Sequence, residues 1–319
     1  MQVIRDEDGL SADTLASVTA IGVFDGLHRG HQEVVAQLHD IASAQGGTVS
    51  VLTFDPHPAS ILNPERAPRL LMTLAQRLEG LERLGVSRVR VVTFNEALAR
   101  ESAADFIERV LVGELRVSDV VVGEDFRFGH NRAGDVALLE AEGSRLGFRV
   151  HPTAMAGGVE RWSSTGVRRA LEQGDLLVAS EILGRPFTLR AVVERGDARG
   201  RDLGYPTANL VTPAQQQLPM MGIYAGAART SDGVWRPAAV SVGTRPQFYE
   251  SGALVVEVHL AQFTGDLYDT VLDVAFLSRL RGEATFDSLD DLIVQMARDV
   301  TKTLEIFPEF SPDSSPLLG

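Results

Sequence analysis

The chain has 319 residues, of which 44% are hydrophobic and 23% charged, so it is a globular protein long enough for two domains. Its net charge of −13 argues against general electrostatic binding of nucleic acid. The lack of cysteine excludes disulfides, thiolate metal sites and a cysteine nucleophile, and we expect a cytoplasmic protein with no signal peptide and no membrane span.

The basic residues are almost all arginine, and Lys302 is the single lysine of the chain. A P-loop places a lysine on the phosphates after a glycine-rich segment, and no such segment precedes Lys302. A nucleotide site in this chain therefore has to be built from arginine, histidine and backbone N–H groups.

Strand-like and helix-like segments alternate in the first half of the chain, from Val18 to about Leu183. Valine-rich strands between amphipathic helices indicate a parallel sheet covered on both faces, so we predict a doubly wound, Rossmann-like α/β domain. Ligands of such domains bind at the carboxyl ends of the strands. The predicted strands cover 18–24, 48–54, 88–94 and 118–123, and the predicted helices cover 31–45, 73–85 and 102–115.

After Gly184 the strand-like segments follow one another without helices, which predicts an antiparallel β-barrel. Ser288 is the expected N-cap of one long closing helix, and the Pro- and Ser-rich tail after Phe307 is expected to be loose. We therefore predict two domains, residues 1–184 and 185–319. The predicted barrel strands cover 187–196, 222–230, 235–243, 254–263 and 270–280.

The segment GVFDGLHRGHQ, residues 22–32, follows the first predicted strand and opens the first predicted helix. A helix N-terminus offers unpaired N–H groups and a partial positive charge to a phosphate. His28 and His31 lie one helical turn apart and can face one ligand, and Gly30 lets a phosphate approach the backbone. We interpret the segment as a phosphate-binding turn for nucleotidyl transfer. The alternative is a pair of ordinary polar residues at a helix start, and the H-x-G-H spacing after an apolar strand disfavours it.

Three other segments are less specific. SSTGVRRAL begins at Ser163, and its hydroxyls and Arg168 suit phosphates. A plain serine N-cap is an equal alternative for the segment alone, but the H-x-G-H turn in the same predicted domain favours phosphate binding. His57 in TFDPHP either lines a pocket or ends a strand. GEDFRFG places Asp125 at a strand end with two phenylalanines, which either stack on a flavin or adenine ring or pack in the core.

Together these segments resemble those of the bifunctional riboflavin kinase/FMN adenylyltransferase family, the bacterial FAD synthetases. The resemblance runs from about Val18 to Phe307, and GYPTAN is its most specific motif. It implies that the first domain transfers AMP from ATP to FMN with release of pyrophosphate, and that the second phosphorylates riboflavin with ATP and Mg²⁺. The segments that support it are GVFDGLHRGHQ, TFDPHP, VVGEDFRFG, SSTGVRRAL, LGRPF, GDARGRDLGYPTANL, GIYAG, VGTRPQF, VEVH and LRGEATF.

For the first domain, the resemblance implies that His28 and His31 contact the ATP phosphates and support the transfer. Asp125 would lie near the reacting phosphates. The remaining residues implied for phosphate binding are Arg161, Ser164, Thr165 and Arg168. The other nucleotide- or flavin-binding residues implied for this domain are Gly22, Phe24, Asp25, Gly26, Gly30 and His57.

For the second domain, the resemblance implies that Glu257 takes the proton from the riboflavin 5′-hydroxyl. Periodicity alone favours the alternative of a strand glutamate that points to solvent. Thr207 and Asn209 would bind Mg²⁺, because a hydroxyl and an amide oxygen are hard ligands. The binding residues implied around them are Gly196, Arg201, Gly204, Pro206, Thr207 and Arg281.

The second domain departs from the family pattern at Ser241, Gln247 and Asp269, where the family usually has Asn, Thr and Gly. The alternative function is therefore a paralogue competent mainly for adenylyl transfer, or acting on an altered flavin. A non-catalytic flavin- or nucleotide-binding protein is a third hypothesis, which the intact His28, His31 and Glu257 disfavour. In each case the expected partners are small molecules, and the expected state is a monomer or a weak homo-oligomer.

Overall fold

A computed structural model describes residues 1–8, 16–154, 162–195, 203–244 and 254–318 of the chain. Backbone contacts divide the chain into two compact units. The first, which we call the α/β unit, consists of Met1–Pro68 and Leu74–Trp162. The second, which we call the barrel unit, consists of Arg69–Thr73 and Ser163–Gly319.

The α/β unit contains a six-stranded sheet in which every pair of neighbouring strands is parallel. The strand order is β1-β4-β3-β2-β5-β6, which confirms the predicted Rossmann-like architecture. Its strands are β1 (Gln2–Ile4), β2 (Ser17–Ile21), β3 (Thr48–Asp55), β4 (Arg88–Thr93), β5 (Val117–Gly123) and β6 (Arg149–Thr153). Its helices are α1 (Arg29–Gln45), α2 (Pro58–Leu62), α3 (Leu74–Arg83), α4 (Glu96–Arg100), α5 (Ala103–Phe106) with a π-helical continuation over Ile107–Glu114, and α6 (Val136–Leu146).

The two edge strands, β1 and β6, were not predicted from the sequence. A central parallel strand is buried on both faces and shows as a run of apolar residues, as in β2, where all five residues are buried. An edge strand lacks that run. β1 has three residues, and β6 contains a proline and no fully buried residue.

The barrel unit contains a closed barrel with the strand order β10-β11-β8-β7-β12-β9 and antiparallel neighbours throughout, which confirms the predicted architecture. The four-residue strand β8 was missed because it is too short to show alternation. The strands are β7 (Phe187–Glu194), β8 (Ala208–Val211), β9 (Gly222–Arg229), β10 (Trp235–Thr244), β11 (Leu254–Leu260) and β12 (Val271–Arg281). The helices are α7 (Ser164–Glu172), α8 (Leu176–Leu183) and α9 (Leu289–Ile306).

Helix α9 closes the barrel unit as predicted, and Ser288 is its N-cap. The Ser288 hydroxyl accepts a hydrogen bond from the Asp291 backbone N–H at 3.1 Å. The helix packs against β9, β10 and β12. Among the helices that the model describes, none combines the length and the apolar character needed to cross a membrane.

The expectation of a loose tail is wrong. Leu317 and Leu318 are buried, and Arg229 donates a hydrogen bond to the Leu318 carbonyl at 3.3 Å. The Phe310 ring meets the edge of Trp235 at a centroid distance of 5.2 Å. Prolines and serines are frequent in this segment, but burial of two leucines and the packing of the half-buried Phe310 ring on Trp235 fix it.

Five residues from the first half of the chain, Arg69–Thr73, belong to the barrel unit; we call them the strap. The Leu70 N–H donates to the Gln215 carbonyl at 2.7 Å, and the Gln217 N–H donates to the Leu70 carbonyl at 2.8 Å. Leu71 is 1% exposed, and Met72 is also buried. The strap is thus bound to the barrel unit by backbone hydrogen bonds and by two apolar side chains.

Candidate functional site

The segment between β2 and α1, residues 22–31, forms a tight turn that we call the histidine turn. Phe24, Gly26 and Leu27 all have positive φ angles, and the Phe24 and Leu27 side chains are buried beneath the turn. The Gly22 N–H donates to the carbonyl of Leu52 in β3 at 3.0 Å. These contacts fix the path of the backbone to His28, the N-cap residue of α1.

The His28 and His31 imidazoles stack with their centroids 3.7 Å apart and their planes at 22°, and the Phe24 ring lies 4.9 Å from that of His31. A Cβ at Gly30 would lie 3.3 Å from the His28 ring, so glycine leaves the room that this ring position needs. Burial, then the neighbouring His28 and then Arg77 hold the pKa of His31 well below 6.5. A neutral His31 can donate one N–H to a phosphate oxygen.

The buried Asp25 lies within the histidine turn, whereas His57 and Asp125 follow neighbouring strands. β2, β3 and β5 are adjacent and parallel, so the segments that follow them meet at one edge of the sheet, as predicted. His57 does more than end a strand, because its Nδ1 accepts the Ala59 N–H at 3.0 Å and caps α2. Asp125 is exposed at this edge.

The SSTGVRRAL segment forms α7 in the barrel unit. Ser163 is its N-cap and accepts the Gly166 N–H at 3.1 Å, as the plain alternative proposed. Ser164 and Thr165 open the helix, and Arg168 donates through Nε to the Arg69 carbonyl of the strap at 2.6 Å. Their role as phosphate ligands stays a prediction. Among the residues predicted to bind ligands, Arg161, Gly196 and Arg201 lie outside the described part of the chain.

An aromatic cavity of about 720 Å³ lies within the α/β unit. Phe54 of β3, Phe94 after β4 and Phe126 after β5 line it. Phe126 stacks on Phe128 at 5.3 Å with an interplanar angle of 15°, and both rings also pack against the core. Core packing of these phenylalanines is thus observed, and their stacking on a flavin or adenine ring stays a prediction. Sequence analysis missed Phe54 and Phe94, whose only signal is an aromatic residue at the end of two predicted strands.

On the barrel, Glu257 points outward, between the inward-facing and buried Val256 and Val258. Its cross-strand neighbours are Asn209 on β8 and Ser241 on β10. Side chains directly opposite in an antiparallel pair lie on the same face, about 5 Å apart at Cβ. The barrel thus brings together Glu257, the predicted base, Asn209, a predicted metal ligand, and Ser241, a departure from the family pattern.

The GYPTAN segment, residues 204–209, leads into β8 and is held by His259, which sequence analysis did not single out. The His259 ring nitrogen Nδ1 donates to the Pro206 carbonyl at 2.9 Å, and the ring meets Tyr205 edge-on at 5.4 Å. Gly204 has a φ of 81°, which glycine adopts readily. Thr207 follows Pro206 and directly precedes β8; it is half-buried, as is Asn209, and the buried Ala208 lies between them.

Two other predicted positions have clear structural roles. Arg281 pairs with Asp299 of α9, with Nη2 to Oδ2 at 2.7 Å, so its role at a phosphate stays a prediction. Asp269 adopts a φ of 59° in the turn before β12, the left-handed conformation that a family glycine would adopt more easily. Gln247 lies in the segment that the model leaves undescribed.

Each half of the chain matches a known protein family. A family model described as FAD synthetase matches residues 10–165, and one described as riboflavin kinase matches residues 183–307. A protein of Pseudomonas fluorescens is 39% identical over 302 residues, which cover 94% of this chain and 96% of the relative. One of Escherichia coli K12 is 38% identical over 311 residues, covering 96% and 98%. Both relatives are named bifunctional riboflavin kinase/FMN adenylyltransferase.

A solved structure from Streptococcus pneumoniae, titled as a macrolide-efflux protein, superposes with a TM-score of 0.84. Its sequence is 28% identical, and the match covers 95% of this chain and 99% of that one. The likeness therefore extends over nearly the whole length of both chains.

Proposed function

The chain belongs to the family of bifunctional riboflavin kinase/FMN adenylyltransferases, and from this membership we propose how its two halves divide the two reactions. The enzyme makes FMN from riboflavin and ATP, and then FAD from FMN and ATP. We assign adenylyl transfer to residues 1–184 and phosphorylation to residues 185–319. The two family matches, to residues 10–165 and 183–307, support this division.

Nothing favours a paralogue restricted to adenylyl transfer. The riboflavin kinase match spans residues 183–307 and therefore includes Ser241, Gln247 and Asp269. Ser241, the first departure, places a small hydroxyl opposite Glu257 in the register of β10 and β11.

The overall test is incubation of the protein with riboflavin, ATP and Mg²⁺, followed by chromatography of the flavins. We expect FMN to form first and FAD to follow with release of pyrophosphate. FAD formation only from supplied FMN would revive the restricted paralogue, and no turnover of either flavin would favour a binding protein.

For adenylyl transfer, the stacked imidazoles at the start of α1 carry the proposal. An FMN phosphate oxygen attacks the α-phosphorus of ATP, the new P–O bond forms, and the bond to pyrophosphate breaks. His28, the neutral His31 and the N-terminus of the 17-residue helix α1 stabilise the charge that develops on the phosphate oxygens. Such catalysis depends on positioning and electrostatics.

For the flavin ring of FMN, we propose the aromatic cavity. A cavity of about 720 Å³ is within the range of small-ligand sites, and its rings come from segments at the same edge of the sheet as the histidine turn. Phe54 and Phe94, with centroids 5.9 Å apart at 85°, would meet the flavin together with Phe126.

Replacement of Phe126 by leucine is expected to raise the KM for FMN about 10- to 100-fold, since loss of stacking on an aromatic ring costs about 1–3 kcal/mol. The measurement is steady-state FAD formation with FMN varied. Phe126→Tyr keeps a ring and is the matched control, for which we expect a KM near that of the parent. An unchanged KM in Phe126→Leu would place the flavin elsewhere.

For riboflavin phosphorylation, Glu257 is the proposed base that accepts the 5′-hydroxyl proton. Thr207 and Asn209 would hold Mg²⁺ on the ATP phosphates. The hydroxyl of Thr207 and the amide oxygen of Asn209 are hard ligands of the kind that Mg²⁺ accepts beside phosphates and water. When bound, Mg²⁺ neutralises charge on the transferring phosphoryl group.

A further inference from the structure

Arg77 is a buried arginine that none of the sequence motifs contains. It lies on α3, and 3% of its surface is exposed. An arginine side chain stays charged in proteins, so its burial requires hydrogen-bond acceptors or opposite charges around it.

The Arg77 guanidinium joins two strand ends of the α/β unit. Its Nη1 donates to the Val23 carbonyl at 2.6 Å, to Thr53 Oγ1 at 3.1 Å and to the Phe54 carbonyl at 3.2 Å. The Thr53 hydroxyl also donates to the Val23 carbonyl, at 3.1 Å. Val23 belongs to the histidine turn, and Phe54 lines the aromatic cavity. A single side chain thus links the backbone of the turn to the strand that supplies a cavity ring.

Arg77 also interacts electrostatically with two carboxylates and with His31. Asp55 Oδ1 lies 4.0 Å from Arg77 Nη2. Burial lowers the pKa of Arg77, while Asp25 and Asp55 raise it. The charged or titratable groups that act on the His31 imidazole are therefore His28 from the turn and the cation of Arg77 from α3. Asp25 and Asp55 act on Arg77 itself.

We propose that Arg77 is a positioning residue of the adenylyltransferase site, which ties the histidine turn to the end of β3. This inference rests on the proposed roles of His28 and His31. Arg77 reaches them through the Val23 carbonyl, five residues before His28 in the chain. Displacement of catalytic groups by about 1 Å can cost about 10²-fold in rate, so loss of this link should act on turnover more than on substrate binding.

The test compares Arg77→Met, Arg77→Lys and the control Arg83→Met, which makes the same change at an exposed arginine of α3. We expect Arg77→Met to lower kcat for FAD formation about 10²-fold and to change the KM for ATP much less. Arg77→Lys, which keeps the charge but loses the forked geometry, should lower kcat by a smaller factor. Riboflavin phosphorylation by the same preparations should remain at the parent rate, because Glu257, Thr207 and Asn209 belong to the barrel unit. An unchanged KM for ATP in FAD formation shows that the α/β unit of each variant is folded.

The pH profile separates this role from a purely structural one. Removal of the positive charge of Arg77 raises the pKa of His31. The acidic limb of the pH–rate profile for FAD formation should therefore move to higher pH in Arg77→Met. It should stay in place in Arg77→Lys and Arg83→Met. Parent kcat and an unmoved limb in both Arg77 variants would overturn the proposal.

A second readout does not require turnover. The NMR resonances of the His31 imidazole should shift in Arg77→Lys as well as in Arg77→Met, and only the methionine variant should show a raised His31 pKa. Unchanged resonances in both would overturn the proposal even if Arg77→Met proved unstable. A parent protein that makes no FAD but shows these shifts would instead contradict the proposed function and leave the positioning role in place.

Discussion

Alanine in place of His31 is expected to lower the rate of FAD formation by about 10²–10³-fold, the usual cost of losing one transition-state hydrogen-bond donor. The same loss is expected for His28→Ala, because the two rings stack at 3.7 Å and would face the same phosphates. Riboflavin phosphorylation should persist at the parent rate, since Glu257, Thr207 and Asn209 belong to the other unit. Separate assays with FMN and with riboflavin as the substrate measure the two rates.

His39→Ala is the matched control for this experiment. His39 lies on the same helix, but its ring binds the Leu84 carbonyl at 2.9 Å rather than joining the histidine pair. We expect this variant to retain FAD formation. Loss of both activities in His31→Ala would show that the assignment of the reactions to two separate sites is wrong.

Glutamine in place of Glu257 is expected to reduce riboflavin phosphorylation by about 10²–10⁴-fold, the typical cost of losing a general base. The amide has nearly the shape of the carboxylate but cannot accept the hydroxyl proton, so ATP binding should be preserved. The measurement is FMN formation from riboflavin under saturating ATP, together with ATP affinity. FAD synthesis from supplied FMN should continue.

Two control variants distinguish loss of the general base from other changes in the barrel unit. Glu305→Gln makes the same chemical change at an exposed glutamate of α9 in the barrel unit, which pairs with Lys302, and should leave phosphorylation near the parent rate. Asn209→Asp adds a charge at the proposed metal site and should change the dependence on Mg²⁺ concentration. Phosphorylation at the parent rate in Glu257→Gln would remove Glu257 from the mechanism.

What could be read from the sequence was local. The central strands and the histidine turn were predicted because apolar runs and the H-x-G-H spacing need only a few consecutive residues. Arg77 could not be found in this way, because its acceptors, Val23 and Phe54, lie more than 20 residues away in the chain. In a helix pattern it is indistinguishable from a solvated arginine.

In the barrel, too, contacts between residues that are distant in the chain could not be predicted from the sequence. Glu257 and the GYPTAN motif were identified from the resemblance, but the position of Ser241 beside Glu257 follows only from the register of β10 and β11. His259 was passed over for a related reason. Its partner, the Pro206 carbonyl, is 53 residues away and leaves no trace in local spacing.

The strap limits where the kinase half of such a protein can be exchanged between relatives. Its five residues precede α3 in the sequence, yet their hydrogen bonds and buried side chains belong to the barrel unit. A single crossover between two genes at residue 184 would therefore join a foreign barrel to a strap that evolved with another one. The side chain of Gln216 donates to the Leu70 carbonyl at 3.0 Å, and Leu71 and Met72 are buried. Exchange of the kinase half between relatives should therefore succeed best when residues 69–73 are exchanged with it.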